Sequence, residues 1–376
     1  MKSMNKVTAF ERFEKLSIKP LFAEALCDLE VVFQEEKEQF KKEFIKIFQK
    51  ACLNQKKIAP EQECAYIMLE FLRTNLLFHR YQYRIMFYGT KWYMKSGIFA
   101  GEFDVSVILE CYHKLEEKLK EAAKRYVGKI SPLEIESHLQ RLLTPFQEYI
   151  KELILYAITD AVETEEFQKL NKAKELQIRV GECLEPGNLI YLEQKEKDRE
   201  KIIEWLQKNL RETYCFQDFQ FMDFSGMDFT FHDFRYTDFR DSMLEKADMK
   251  FSLLNGAKFR RTCLEYARFS GSMMHAVDFT EAKLQGAHLD YTICYDGKDS
   301  STNWKLVGYP KGSFSGADLQ GTNFTGCIYC GVNFCGANVN EANFHGASLY
   351  RCCFTEEQVA VLSLTEEQRG QICICK

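Results

Sequence analysis

The sequence predicts an α+β multidomain chain: a mostly α-helical domain over residues 1–212, a solenoid of short repeats over 213–356, and a short carboxyl-terminal helical cap and tail over 357–376. Three observations carry this. Bulky apolar residues recur at every fifth position: Phe219, Phe224, Phe229, Phe234, Phe239, Leu244, Met249, Leu254, Phe259, Leu264, Phe269, Met274, Phe279, Leu284 and Leu289. The beat resumes at Phe314, Leu319, Phe324, Tyr329, Phe334, Val339, Phe344, Leu349 and Phe354. A period of five suits neither an amphipathic helix nor a strand alternation, so it comes from a short repeating unit. The third observation is helical apolar spacing through most of the first 212 residues.

A second column supports the first. Two residues before each bulky position the chain is mostly small, as at Ala247, Ser252, Ala257, Thr262, Ala267, Ala317, Ala337 and Ala347. The residue between is often Asp or Asn (Asp248, Asp278, Asp318, Asn333, Asn343), and Gly often fills the second position after the bulky one (Gly226, Gly256, Gly286, Gly316, Gly346). This pattern resembles the pentapeptide-repeat family, whose signature is A-(D/N)-L-x-x, and it extends over 24 units, about a third of the chain. The resemblance implies a right-handed quadrilateral β-helix with four units per coil, the bulky and small residues pointing inward. Gln217, Met222, Met227 and His232 occupy the small position of the first units, so the first coil is expected to be irregular or to meet whatever closes it.

Composition narrows the function. With 46% hydrophobic residues the chain has material for a core, and a formal charge of −5 over 376 residues does not suit a sequence-independent nucleic-acid binder. The opening residues lack the apolar run of an export signal, and no stretch reaches the roughly 20 apolar residues of a membrane span. A cytoplasmic location is therefore expected, with no membrane and no direct nucleic-acid partner. The 15 cysteines are scattered and read as reduced thiols. Cys327 and Cys352 fall at the small inward position, while Cys330 and Cys335 fall outward.

In chain order, Phe22, Leu26, Leu29, Phe33, Phe40, Phe44 and Ile47 mark a long helix. Pro60 and Glu61 read as the start of a second helix carrying Tyr66, Met68, Leu69, Leu72, Leu76 and Leu77. Residues 83–94 read as a hairpin broken at Gly89. Ile108 to Tyr126 is a helix stopped at Gly128. Ser131-Pro132-Leu133-Glu134 is a capping box opening a helix kinked near Pro145. Glu185-Pro186-Gly187-Asn188 is a turn, and a last helix with Ile202, Trp205 and Leu206 is placed over the open start of the solenoid, because bare strand edges recruit other chains. At the far end Thr355-Glu356-Glu357-Gln358 is again a capping box.

Residues 295–312 break the repeat and read as a loop with Trp304 and Tyr309 near its tip, either recognising a partner or folding back on the coil. Four units per coil would stack residues about 20 apart, setting Phe231, Phe251, Gly271 and Tyr291 in one outward column. Such aromatics read as a contact surface for the amino-terminal domain or a second copy. Asp218, Asp223, Asp228, Asp233 and Asp238 encircle the first coil, and hydrogen bonding to turn backbone is favoured over cation binding.

Searches for chemistry return little. There is no phosphate loop, dinucleotide fingerprint or nucleophile elbow. His113 and Glu116 share a helical face without further ligands, and Cys327 and Cys330 point opposite ways, so no metal, cofactor or catalytic residue is assigned. The leading expectation is a non-catalytic scaffold that binds a protein partner or a second copy through Phe231, Phe251, Tyr291, Trp304 and Tyr309. One alternative follows from the resemblance: a mimic of duplex DNA that modulates DNA gyrase in drug or toxin resistance. The 16 acidic against 13 basic residues between Tyr214 and Phe354 are a weak imitation of a polyanion. A second alternative is an enzyme with its site in residues 1–212.

Overall fold

The computed structural model describes residues 6–92, 96–208, 214–295 and 310–375. They divide into two compact units, the first comprising 6–173 and 178–188, the second 174–177, 189–295 and 310–375.

The first unit is built on α2 (Lys19–Ile58), which follows α1 (Lys6–Phe13) and a π-helical turn. Its buried stripe of Phe33, Phe40, Phe44 and Phe48 is an aromatic ladder. Phe44 meets Phe103 edge-on at 5.0 Å and Phe48 meets Phe167 at 5.8 Å. Against α2 pack α3 (Ser106–Ala123), α5 (Thr144–Ala161) and β3 (Ile98–Asp104). The Ser131–Glu134 capping box is present at the start of α4 (Pro132–Leu142). Where a kink was expected, Pro145 instead stands in the first turn of a separate helix, α5.

The expected helix after Pro60 is instead β1 (Cys64–Phe71), followed by a 3-10 turn at Arg73–Phe78. Nearly every residue of β1 is buried, because it lies inside a sheet of order β3-β2-β1-β4-β5. A short apolar run buried on both faces has no alternation to betray it. The 83–94 hairpin is also revised. β2 (Gln82–Tyr88) pairs antiparallel with β1 on one side and β3 on the other. After the four-residue α6 (Glu165–Gln168), β4 (Lys172–Glu182) and β5 (Asn188–Gln194) flank the expected turn at 185–188. Buried Leu176, Ile178 and Val180 give β4 a two-residue alternation readable in the sequence.

In the second unit, α7 (Arg199–Gln207) precedes the repeats. Trp205 packs edge-on against Tyr214 at 4.6 Å, and Leu206 joins the buried core of the repeats. From there parallel bridges link residues 20 apart, as Asp218↔Asp238, Asp223↔Met243, Asp228↔Asp248 and Asp233↔Leu253, so four units make one coil. The spacing widens to 35 for one coil, from Asp278↔Ser313 to Ile293↔Ile328, and then returns to 20. The ladder thus steps over the inserted segment. Within the repeats, short true strands occur at β6 (Ile293–Cys294), β7 (Ile328–Cys330) and β8 (Ser348–Tyr350), paired in parallel.

Inward residues are sealed: Phe224, Phe259, Leu284, Phe314 and Phe354 are all 0% exposed. Their rings stack coil on coil, Phe239 on Phe259 at 5.0 Å, Phe259 on Phe279 at 4.9 Å and Phe314 on Phe334 at 5.1 Å, nearly parallel. Ser and Thr at the small position donate to carbonyls 23 residues earlier, Ser242 Oγ to Phe219 O at 2.7 Å and Thr262 Oγ1 to Phe239 O at 2.7 Å. Burying these hydroxyls therefore leaves none unpaired.

After β9 (Cys353–Thr355) come α8 (Glu356–Val361), α9 (Glu366–Gln371) and β10 (Cys373–Cys375). A second Thr-Glu-Glu-Gln box at 365–368, overlooked in the sequence, opens α9 as the first opens α8. Gln358 Nε2 donates to Phe334 O and Ala337 O, and Gln368 Nε2 to Phe344 O and Ala347 O. These amides meet carbonyls that a further coil would otherwise meet.

Phe259 has a ring against it on both sides, so Phe259→Ala is expected to lower stability by about 3–5 kcal/mol. The outward Gln320→Ala should stay within about 0.5 kcal/mol of wild type. Urea unfolding followed by circular dichroism checks both; equal midpoints for the two variants would contradict the packing described.

Candidate interaction surface

Each unit turns through a residue in the left-handed region, with φ of +63° at Phe231, +57° at Phe251 and +58° at Tyr291. Gly takes this conformation at no cost, and any other residue must be held there by its surroundings. The aromatic ones lie down on the next coil. Phe231 stacks on Phe251 at 5.2 Å. A Cβ on Gly271 would fall 2.6 Å from the Phe251 ring, and one on Gly326 2.7 Å from that of Tyr291. Tyr236 over Gly256 and Tyr266 over Gly286 repeat the arrangement. The sequence showed the aromatics and glycines but not that Tyr236, Phe251, Tyr266 and Tyr291 are each seated on a glycine one coil on. The seated rings still show solvent one side: Phe231 is 74% exposed and Tyr291 64%. Trp304 and Tyr309, with most of the 295–312 loop, lie outside the described residues.

The outward ladder positions form four columns of different character. In the column starting at Asp233 the bridges run Asp233↔Leu253↔Met273↔Ile293, then Ile293↔Ile328↔Ser348. Four successive coils thus present an aliphatic side chain outward, with Met273 and Ile328 38% and 42% exposed. Phe231, Phe251 and Tyr291 border this strip on one edge, at the turn that precedes each ladder residue. Exposed Tyr350, at the end of β8, lies two residues beyond Ser348 on the other side.

The column Asp218, Asp238, Lys258, Asp278 is charged instead. Asp218 accepts from Lys197 Nζ at 2.6 Å and from the Gln194 backbone N at 2.9 Å. Arg240 clamps Asp238 through Nε at 2.9 Å and Nη2 at 2.7 Å, both residues buried. Lys258 is buried as well, its Nζ 5.7 Å from the centre of the Tyr191 ring. Burial pushes the Lys258 ammonium down to about 8, against the pull of Asp238. Burial also opposes ionisation of Asp238, but Arg240 and Lys258 override it and hold that carboxyl below its usual range. A lone Lys in an Asp column, between Arg240 and Arg260, was the sequence signal for this cluster.

The Asp ring of the first coil does what turn chemistry asks. Asp223 accepts from Ser225 N at 3.0 Å and Asp228 from Thr230 N at 2.9 Å. Cys327 and Cys352 are inward and sealed, but Cys330, expected outward, is 2% exposed. Cys330 ends β7 just before the turn at Gly331, and Arg351 Nη2 lies 3.1 Å from its sulfur. The expectation of reduced thiols is corrected at one pair: Cys335 and Cys375 are disulfide-bonded. His113 lies 3.5 Å from Glu116 and 3.6 Å from Glu117, and no group of three or more metal-ligating side chains occurs among the described residues.

The family of pentapeptide repeats matches residues 252–290 and 317–355, as 8 copies. The second unit therefore carries pentapeptide repeats, and the amino-terminal domain is assigned to no family. Among solved structures, the chain is similar to the pentapeptide repeat protein Rfr23 from the cyanobacterium Cyanothece 51142, at 18% identity and a TM-score of 0.22. That match covers 27% of this chain and only 58% of the other. It is also similar to a pentapeptide repeat protein of the Arabidopsis thaliana thylakoid lumen, at 24% identity over 40% of this chain and 74% of that one, TM-score 0.17. A third is HetL of Nostoc sp. strain PCC 7120, involved in heterocyst differentiation regulation, at 17% identity over 42% and 97%, TM-score 0.11. No curated protein sequence matches the chain.

Lys258 sets a pH dependence. Its proton is held less tightly in the folded chain (about 8) than at the ordinary value of 10.5. Between these values the unfolded chain binds more protons, so this residue's contribution to stability rises with pH. Wild type should gain stability relative to Lys258→Met from about pH 8 to 10.5. Parallel stability curves in urea titrations across that window would contradict the assignment.

Proposed function

We propose that the protein is a non-catalytic, cytoplasmic scaffold whose repeats wind as a right-handed, four-sided rod, closed at the carboxyl end by α8 and α9, and bind another protein through the aliphatic column from Leu253 to Ile328. The observation that carries this reading is that column itself. In four consecutive coils the outward ladder position, elsewhere mostly Asp, Asn, Lys or Arg, is Leu253, Met273, Ile293 and Ile328. Exposed apolar side chains aligned at strand spacing cost solubility and suit a partner that covers them. The sealed interior supports a passive role, since Phe and Leu fill the place where a small molecule would sit. Among the described residues no helix is long and apolar enough to cross a membrane.

Association pays for ordering, so a few central anchors should carry most of the affinity. The double variant Met273→Glu/Ile328→Glu is expected to weaken retention of co-purifying proteins from native cytosol, or self-association by light scattering, by about tenfold or more. Glu265→Lys, at a turn beside other columns, should leave both unchanged. Identical partner sets and identical mass for all three proteins would overturn the proposal.

A further inference from the structure

We infer that the Cys335–Cys375 bridge is a redox-operated latch on the last strand of the rod. β10 keeps the coil register after two helices have interrupted the repeat: Cys373 pairs with Cys353 and Cys375 with Thr355, 20 residues apart in parallel. The chain is anchored up to the strand, since Ile372 packs against the core and Gln371 accepts from Arg351 N at 2.7 Å and from Leu349 N at 2.9 Å, and the bridge secures the far end. The strand is three residues long, Cys373 is exposed and Ile374 is 46% exposed. Its backbone ties are Cys373 N to Cys352 O at 2.8 Å and the β9 pairing. So short an edge strand opens readily on its own. The disulfide joins its end to Cys335, two coils back at the same turn, with the Cα atoms 6.9 Å apart.

Three thiols of the same coils are withdrawn from exchange. Cys294, Cys327 and Cys352 lie in the sealed interior, and burial pushes the thiols of Cys327 and Cys352 up, so they offer little thiolate. Closure is a two-electron exchange with a low-molecular-weight disulfide. A thiolate of Cys335 or Cys375 attacks it, breaking its S–S bond, forming a mixed disulfide and releasing one small thiolate. The second cysteine thiolate displaces the other, forming Cys335–Cys375. The oxidant leaves as two thiols, which take the two protons the cysteines lose. A reducing cytosol opens the latch, and oxidation closes it. Opening exposes the edge of β9, whose backbone groups can then pair with another extended chain.

The test uses the full chain equilibrated with glutathione disulfide or with dithiothreitol. Peptide mapping without reductant should find the 335–375 bridge in the oxidised sample. Amide exchange over residues 372–375 should accelerate roughly tenfold or more on reduction, while exchange at Phe259 and Phe279 stays unchanged. Cys335→Ser and Cys375→Ser should each show the fast exchange under both conditions, and Cys373→Ser should still respond to reductant. Absence of the bridge, or equal exchange at 372–375 in oxidised, reduced and Cys335→Ser protein, would overturn the inference.

Discussion

The second unit depends on a coincidence of two lengths. Parallel strands pair at about 4.8 Å, and flat aromatic rings stack at nearly the same separation. The inward rings sit at 4.9 Å between Phe259 and Phe279 and at 4.6 Å between Phe334 and Phe354. Each coil therefore satisfies its backbone and packs its core in the same step. Where a ring is stacked on both sides, as at Phe259, a smaller side chain would leave a void. The interior has little freedom as a result, and variation is pushed to the surface.

On the outside, three of every five positions are open to choice, and the chain uses them differently along each column. One column is charged and lies near Gln194, Lys197 and Tyr191, with buried Asp238 and Arg240 locked together. Another is aliphatic and open to solvent. The turn positions alternate rings with glycines so that a ring has a flat seat one coil on. The same backbone can thus carry a charged face that closes on its own chain and an aliphatic face that stays open to solvent. That is why the interaction reading rests on column identity rather than on the count of exposed aromatics.

The repeats were legible because their period survives in single residues: Phe219 and its successors state the core directly. The seating of Phe251 on Gly271 was hidden, since it joins positions 20 apart at a turn and depends on a φ no residue type announces. β1 reads as a helix because Ile67 to Phe71 is buried on both faces and carries no two-residue rhythm. β4 did carry one, at Leu176, Ile178 and Val180, inside a stretch otherwise charged. Gln358 and Gln368 stand out in the repeated Thr-Glu-Glu-Gln, but the two hydrogen bonds each donates, to carbonyls 21 and 24 residues earlier, are tertiary facts.

The claim at the centre is that a 20-residue coil is the unit of folding in the carboxyl-terminal half. Removing residues 313–332 excises one whole coil and would bring Asn333 into register with Asp278, while removing 313–330 shifts every later inward residue by two positions. Thermal unfolding of the two deletion proteins, followed by circular dichroism, is the direct measurement. The account predicts one cooperative transition for the 20-residue deletion and its loss for the 18-residue deletion; indistinguishable melting of the two would contradict it.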